Sequence, residues 1–268
     1  MGRQDENVAA FRQLHAAGCF VMPNPWDVGS AIALEQMGFE ALATTSAGHA
    51  WTLGRADNRL VLDQVLEHLR AVADAVELPL NADFEGAFAD DPEEVAAHVK
   101  LTAATGIAGL SIEDSTGDPA APLYAFELAV ERVAAAREAI DETGTGVLLT
   151  GRSEGFVVGR PDLEETIRRL KAYAEAGADC LYAPRIATEQ IPEVVAAVSP
   201  KPVNVLANAP SITVAEAAAL GVRRISVGGT LARTAWSGFL AAAREIAEQG
   251  TFARFDGLPD VDARFSAR

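Results

Sequence analysis

Three acidic residues follow neighbouring apolar segments of the chain. Asp83 and Glu85 end one segment and Glu113 ends the next. If both segments are adjacent strands, alternation places Asp83 and Glu85 on one face, and Glu113 within about 5–8 Å of them. Carboxylates this close repel unless a cation joins them, and an all-oxygen ligand set favours Mg2+, or Mn2+ in its place. The alternative is that all three are solvated loop residues.

The elements that must position these acids recur along the chain. A helical stretch, a glycine and a short apolar strand appear four times, with the glycine at Gly38, Gly106, Gly177 and Gly221. A glycine there predicts a helix end in the left-handed conformation. The apolar strands, taken as lacking alternation, predict a parallel sheet buried on both faces.

Eight strands are predicted, near Phe20–Pro23, Ala41–Ser46, Leu78–Asp83, Gly109–Glu113, Val147–Arg152, Cys180–Ala183, Val203–Leu206 and Arg224–Gly228. Helices are predicted at Val28–Met37, Leu62–Val76, Pro92–Ala104, Leu128–Asp141, Asp162–Ala176, Thr213–Leu220 and Leu231–Glu248. This alternation predicts an α/β fold, a (β/α)8 TIM barrel, as a single domain over residues 1–268 with a tail from about residue 250. An open doubly wound sheet is the alternative, although its Gly-x-Gly-x-x-Gly turn is missing after the first strand.

The composition excludes several classes of function. A formal net charge of −16 disfavours nucleic acid and anionic membranes as partners. No apolar run of 18 residues is present, which predicts a cytoplasmic protein without a membrane span. Cys19 and Cys180 form no Cys/His cluster, so a structural zinc site is not expected.

The motifs at the strand ends occur in a distinctive order. Ser46-Ala47-Gly48 follows the second strand and Asp57 the loop beyond it; then come Asp-x-Glu at Asp83, Ile-Glu-Asp around Glu113 and Gly-Arg-Ser-Glu around Arg152. This order resembles the isocitrate lyase/phosphoenolpyruvate mutase superfamily over roughly residues 10–245. The resemblance implies a barrel that assembles as a homodimer or homotetramer by swapping its eighth helix. It also implies Mg2+, a small anionic 2-oxo acid substrate, and the making or breaking of a C–C or P–C bond.

The resemblance also implies roles for individual residues. Asp83 would bind Mg2+ directly, while Asp57, Glu85 and Glu113 would hold metal-bound waters. The amides of Ser46, Ala47 and Gly48 would cradle the substrate carboxylate. Arg152 would pair with a carboxylate or the enolate oxygen. From their positions at strand ends, Asn204 is also predicted to contact substrate and Glu113 to take part in catalysis.

One departure from the family pattern concerns the acid that protonates the product. In the loop Ser115–Tyr124, lyases of the family carry a catalytic cysteine within a Lys-x-Cys-Gly sequence, but this loop has no Cys, Lys or His. Tyr124 is the candidate substitute, unless its ring only packs the loop onto the barrel. The loop itself is expected to act as a lid.

The sequence therefore predicts a Mg2+-dependent lyase acting on a small 2-oxo or 2-hydroxy (di)carboxylate through an enolate. The alternatives are phosphoenolpyruvate or phosphonopyruvate (P–C bond) mutase or hydrolase chemistry, a phosphate-binding barrel that uses Gly228 and Gly229, and an oxo-acid binder without turnover. A serine hydrolase is disfavoured although Gly151–Gly155 reads Gly-x-Ser-x-Gly, because every histidine precedes Ser153. The apolar residues of the last predicted helix suggest a tetramer of helix-swapped dimers.

Overall fold

A computed structural model describes residues 2–266 of the chain. Its strands are β1 (Phe20–Met22), β2 (Leu42–Ala43), β3 (Leu80–Asp83), β4 (Gly109–Glu113), β5 (Leu148–Arg152), β6 (Cys180–Tyr182), β7 (Val203–Leu206) and β8 (Arg224–Ser226). These eight parallel strands form one sheet in the order β1-β8-β7-β6-β5-β4-β3-β2, which confirms the predicted barrel. The predicted domain limits extend past the described residues at Met1, Ala267 and Arg268.

Two hydrogen bonds connect the first and second strands, where the sheet has its ends. The amide of Ala43 donates to the carbonyl of Pro23 at 3.1 Å, and Asn24 Nδ2 donates to the carbonyl of Thr44 at 2.8 Å. Together they bring the sheet close to full closure.

The helices lie between the strands. They are α1 (Arg3–Ala16), α2 (Val28–Gln36), α3 (Ser46–Thr52), α4 (Leu62–Ala75), α5 (Pro92–Ala103), α6 (Phe126–Thr143), α7 (Leu163–Glu175), α8 (Ile191–Val198), α9 (Val214–Ala219), α10 (Thr230–Gln249) and α11 (Asp262–Phe265). The predicted helices are confirmed to within two residues at each end, whereas α1, α3, α8 and α11 were not predicted. Within residues 2–266, no helix is long and apolar enough to span a bilayer.

The predicted glycine stops adopt the expected conformation. The four glycines have φ between 86° and 104°. At Gly177, which follows α7, a Cβ atom would also lie 2.4 Å from Cγ of Arg137. Glycine is thus required there by backbone conformation and by space.

Helix α1 closes the amino-terminal end of the barrel. Phe11 is fully buried, and a Cβ atom on Gly109 at the start of β4 would lie 2.6 Å from its ring. The His15 ring packs edge-on against Phe11 and Phe20, with centroids 4.6 and 5.2 Å apart. The aromatic side chains therefore plug the bottom of the barrel.

The interior of the barrel is polar, which corrects the expectation of strands without alternation. Six buried polar residues project inward and line or border the central cavity: Asn81, Ser111, Thr150, Asn204, Arg224 and Ser226. The intervening positions, such as Leu110 and Ile225, face the helices and are buried among apolar side chains. The alternation leaves room for a cavity inside the strands.

Helix α10 packs little against the rest of the chain. Ala232 is its buried residue, whereas Trp236, Phe239 and Leu240 are 39%, 60% and 49% exposed. The tail returns to the barrel, where Gln36 of α2 donates to the carbonyl of Arg264 at 2.7 Å. An unburied apolar face therefore runs along the final long helix.

Candidate active site

Two cavities open at the carboxyl ends of the strands, where barrels of this kind place their active sites. A central cavity of about 210 Å3 lies within the barrel mouth. A second cavity of about 390 Å3 lies beneath the loop that follows β4. Ser46, Asp57 and Arg152 line both cavities, so the two spaces meet at the predicted site.

Arg152, at the end of β5, lies among carboxylates. Its Nη1 atom is 3.1 Å from Asp83 Oδ1 and 3.2 Å from Glu113 Oε2, and its Nε donates to Glu154. Although burial alone would lower the pKa of Arg152, these carboxylates raise it well above its ordinary value. The guanidinium is therefore a fixed cation at the junction of the cavities.

Asp83, at the end of β3, is held by the second strand–helix unit. The amide and the hydroxyl of Ser46 both donate to its Oδ2 atom, at 3.0 and 2.9 Å. The same hydroxyl is 3.4 Å from Asp57 Oδ1, which brings the predicted Asp57 to the site. Asp57 and Asp83 thus both lie within hydrogen-bonding distance of the Ser46 hydroxyl.

Glu85 reaches the site by a different route from the one predicted. Strand β3 ends at Asp83, and Glu85 has a φ of 46°, so strand alternation does not govern its direction. Its side chain nevertheless lines the second cavity with Glu113 and Arg152. A left-handed turn, rather than a shared strand face, brings the two acids together.

The acidic side chains are buried and close enough together to raise one another's pKa values. Burial, followed by the charges of Asp83 and Asp57, raises the pKa of Glu85 to about 8. Burial, then the charge of Asp83, raises the pKa of Asp57. Burial raises the pKa of Glu113 well above its usual value, with neighbouring carboxylates adding to the rise against the opposing effect of Arg152. The site therefore holds more negative charge than Arg152 balances.

The donor set fits a hard divalent cation that retains water. Glu85 Oε1 is buried and has no hydrogen-bond partner, and the side chains around it carry oxygen atoms that can serve as metal ligands. Within the described chain, no three Asp, Glu, His or Cys side chains are grouped closely enough to surround an ion by themselves. Mg2+ commonly takes one or two carboxylates and keeps several waters. One direct ligand with water-mediated neighbours is the arrangement that suits these positions.

The predicted carboxylate cradle is only partly available. The Ser46 amide already donates a hydrogen bond to Asp83. The Gly48 amide donates to Thr45 Oγ1 at 3.3 Å as part of the amino-terminal cap of α3. A Cβ atom on Gly48 would lie 2.8 Å from Trp26 Cβ, so packing explains this glycine. Ala47 lines the central cavity.

Asn204 lines the central cavity from β7, as the sequence predicts, but its amide group is held by neighbours. Its Oδ1 accepts from Arg224 Nε at 2.9 Å and its Nδ2 donates to Ser226 Oγ at 3.0 Å. Its orientation is thereby fixed.

Tyr124 lies at the edge of the site. Its hydroxyl donates to Asp90, and the guanidinium of Arg132 lies 4.0 Å from its ring centroid. Burial, then the hydrogen bond to Asp90, raises its pKa to about 12. It is not among the residues that line either cavity. The ring anchors the end of the loop in this conformation.

The loop before Tyr124 forms a small hairpin over the acids. Ser115 and Leu123 form an antiparallel bridge, and the Thr116 amide donates to the carbonyl of Pro122 at 3.1 Å. Ser115, Gly117, Asp118, Pro119 and Pro122 line the second cavity opposite Glu85 and Glu113. The loop thus covers the acidic end of the site.

Sequence reasoning missed a buried network behind Arg152. The Glu154 side chain is 2% exposed and accepts from Arg152, while the Glu154 amide donates to Asp114 Oδ1 at 2.7 Å. Asp114 Oδ2 accepts from Arg169 Nη1 at 3.1 Å and from the Tyr173 hydroxyl at 2.7 Å. The pattern Glu-Asp at 113–114 was visible in the sequence, but its division into one cavity-facing and one buried acid was not.

Two other sequence features have structural roles. The His49 and His68 rings stack with centroids 3.7 Å apart, and neither lines a cavity at the active site. At the turn after β8, the Gly228 amide donates to Asn24 Oδ1 at 2.9 Å, and the Thr230 amide donates to the carbonyl of Val227 at 3.2 Å. Both of these amides are therefore engaged within the protein, at a turn that lines the central cavity.

The model of the phosphoenolpyruvate phosphomutase family matches residues 11–247. The chain belongs to this family. The resemblance to the isocitrate lyase/phosphoenolpyruvate mutase superfamily is thereby confirmed.

Relatives within the superfamily carry lyase and related activities in their names. A crystal structure of a candidate lyase/mutase from Burkholderia cenocepacia J2315 superposes with a TM-score of 0.96 at 45% identity, covering 99% of this chain and 98% of that one. The 2-methylisocitrate lyase of Escherichia coli K12 is 32% identical over 59% of this chain and 55% of its own. The oxaloacetate decarboxylase of Rhodopseudomonas palustris BisB18 is 28% identical over 71% of this chain and 67% of its own.

Proposed function

We propose that this protein is a Mg2+-dependent lyase that cleaves a C–C bond in a small 2-oxo or 2-hydroxy dicarboxylate. The observation that supports it most is the group of carboxylates around Arg152. Burial, with the charges of neighbouring carboxylates, raises the pKa values of Asp57, Glu85 and Glu113, and a bound divalent ion would supply positive charge that favours their ionised forms.

The protein's own residues would divide the work. Asp83 would bind Mg2+ directly, with Asp57, Glu85 and Glu113 holding its waters. When bound, Mg2+ acts as a Lewis acid that stabilises negative charge on the substrate's oxo oxygen. Arg152 would orient a substrate carboxylate and stabilise the enolate oxygen, and Glu154 would hold the guanidinium in place.

The loop that follows β4 would exclude water from the reacting group. Its hairpin already covers Glu85 and Glu113. A loop without a thiol acid is better suited to a reaction whose enolate can take its proton from Tyr124 or from water. In oxaloacetate decarboxylation, the bond between C3 and C4 breaks, CO2 leaves with the C4 carbon, and the electron pair remains as the enolate of pyruvate until a proton reaches C3.

The test is a comparison of substrates. We expect Mg2+-dependent release of pyruvate from oxaloacetate, measured with a coupled dehydrogenase, at a higher kcat/KM than any cleavage of isocitrate or 2-methylisocitrate. Positioned acid catalysis contributes about 10²–10⁴-fold, which is the disadvantage that the missing thiol imposes on the latter substrates. Uncatalysed decarboxylation by free Mg2+ must be subtracted with Asp83→Ala protein at equal concentration.

Two outcomes would redirect the proposal. Turnover of phosphonopyruvate above all C–C substrates would favour P–C bond chemistry, which the family name also supports. Tight Mg2+-dependent binding of an oxo acid that is never turned over would favour a binding protein.

A further inference from the structure

The central cavity is lined by side chains of both charges. Asp57 and Asp83 line it close to the position proposed for Mg2+, together with Arg152, which is paired with Asp83. Three arginines from other elements also line it: Arg185 after β6, Arg224 on β8 and Arg233 on α10. We call these three residues the basic wall. In a chain of net charge −16, such a wall inside a cavity calls for a ligand.

None of the three arginines forms an ion pair with a carboxylate in residues 2–266. Arg224 is 2% exposed, and its partners are Asn204 Oδ1, Thr150 Oγ1 and His15 Nε2, at 2.9, 3.1 and 3.3 Å. His15 Nδ1 bonds to the carbonyl of Phe11 at 2.7 Å, so in the tautomer with hydrogen on Nδ1 the Nε2 atom accepts from Arg224. A buried cation with neutral partners leaves its charge uncompensated.

The other two arginines lie at the rim. Arg185 is exposed, follows Pro184 and has a φ of 65°, a conformation that a residue with a side chain adopts at a cost. Arg233 is exposed, and its Cζ atom lies 4.7 Å from the Trp51 ring centroid, which steers its head beside the cavity. Both guanidiniums are available to an entering anion.

We propose that the basic wall is a subsite for a second anionic group of the substrate, a carboxylate or a phosphoryl group. This assignment rests on the proposed function, because that function places the metal-binding end of the substrate at Asp83. Arg185 and Arg233 would contact the distal group, and Arg224 would add positive potential from below. Discrimination against substrates with one anionic group follows from this arrangement.

The experiment uses Arg185→Gln and Arg233→Gln, with Arg70→Gln as a matched control, because Arg70 is exposed on α4 and lines neither cavity. Calorimetry with Mg2+ compares malate with lactate, two 2-hydroxy acids of which only malate has a distal carboxylate. We expect each cavity variant to weaken malate binding by about tenfold or more, with lactate and the Arg70→Gln protein unchanged. Comparing phosphonopyruvate with pyruvate in the same way tests the phosphoryl group.

A metal-free arm separates the two proposals. In EDTA, succinate and inorganic phosphate are titrated into the wild type and the three variants. Suppose that the wild type binds these anions but shows no Mg2+-dependent binding, and that the cavity variants lose the anion binding. The proposed function would then be rejected and the subsite kept. Equal losses for malate and lactate, or variants that bind every ligand as the wild type does, would overturn the subsite. A change in particle mass with unchanged affinities would assign the arginines to subunit contacts instead.

Discussion

The backbone amide of Glu154 donates to the carboxylate of Asp114 at 2.7 Å, and the Glu154 side chain in turn binds Arg152. The residue that orients the active-site arginine is therefore fixed by a buried acid on the neighbouring strand end. Arg169, 8% exposed, neutralises that acid. The guanidinium of Arg152 is thus positioned by Glu154, which is itself positioned by Asp114.

Asp114→Asn should destabilise the fold. The amide can still accept from Glu154, but its NH2 group would meet the Arg169 and Tyr173 donors. Arg169 would lose the buried carboxylate at its Nη1 atom and keep the partly exposed Glu165 at its Nε atom. Breaking a buried ion pair from one side costs about 3–5 kcal/mol. Urea unfolding should show a loss of this order, while Asp63→Asn, at an exposed position on α4, should stay within about 0.5 kcal/mol of wild type. Equal midpoints for both variants would mean that the network adds nothing.

Asp83→Ala should abolish Mg2+-dependent ligand binding and turnover while the barrel stays folded. The substitution removes the proposed direct ligand and one of the carboxylates paired with Arg152. Calorimetric titration with Mg2+ and a 2-oxo acid measures the effect, circular dichroism checks the fold, and Asp63→Ala is the control. Unchanged Mg2+ affinity would show that the metal site is elsewhere.

The stacked pair of His49 and His68 should make the protein sensitive to acid. Burial, then the neighbouring His49, lowers the pKa of His68 to about 3, and burial lowers that of His49. The neutral rings belong to the folded state, so their contribution is complete above pH 6.5 and falls as the pH drops from 6.5 towards 3. For His68 alone, the loss between pH 7 and pH 5 is about 2 kcal/mol.

Replacing His68 by phenylalanine keeps a ring on His49 but removes the titrating group. The variant should lose less stability than the wild type between pH 7 and pH 5 in urea unfolding. His15, whose pKa burial lowers to about 3, remains in both proteins, so its contribution cancels from the comparison. Identical pH profiles would contradict the assignment.

Tyr124→Phe separates proton transfer from loop anchoring. If Tyr124 is the general acid, removal of its hydroxyl should lower kcat by about 10²–10⁴-fold. Because the hydroxyl is bound to Asp90 and the pKa is raised to about 12, we expect a fall in kcat of less than about tenfold, matched by Asp90→Asn. A larger fall in Tyr124→Phe alone, at constant ligand affinity, would identify it as the proton donor.

The assembly should be larger than a monomer. Helix α10 exposes Trp236, Phe239 and Leu240, which suits exchange of this helix between subunits. Light scattering should give about four times 28.1 kDa, and Phe239→Asp should reduce it more than Phe239→Leu. A particle of one chain's mass at micromolar concentration would rule out the swapped tetramer.

The sequence predicted the barrel and the positions of Asp83 and Arg152. Each of these residues is the last one of a strand, where the sheet sets the direction of the chain. It could not predict Glu154, which lies past the end of β5 and whose direction depends on a tertiary contact with Asp114. Glu85 was found for a partly wrong reason, since a left-handed turn replaces the assumed strand. Helix α1 was missed because its amphipathic character is weak and only a few side chains, such as Phe11, are buried.

The polar interior of the barrel has a consequence for how this family member can change. Most apolar contact lies between the outer faces of the strands and the helices, as with Leu110 and Ile225, so the inward positions carry little of the folding energy. Substitutions at Asn81 or Ser111 should therefore alter what the cavity accepts at a smaller cost in stability than substitutions at the outward positions. A barrel built in this way can acquire a new substrate through replacements that leave its apolar layer intact.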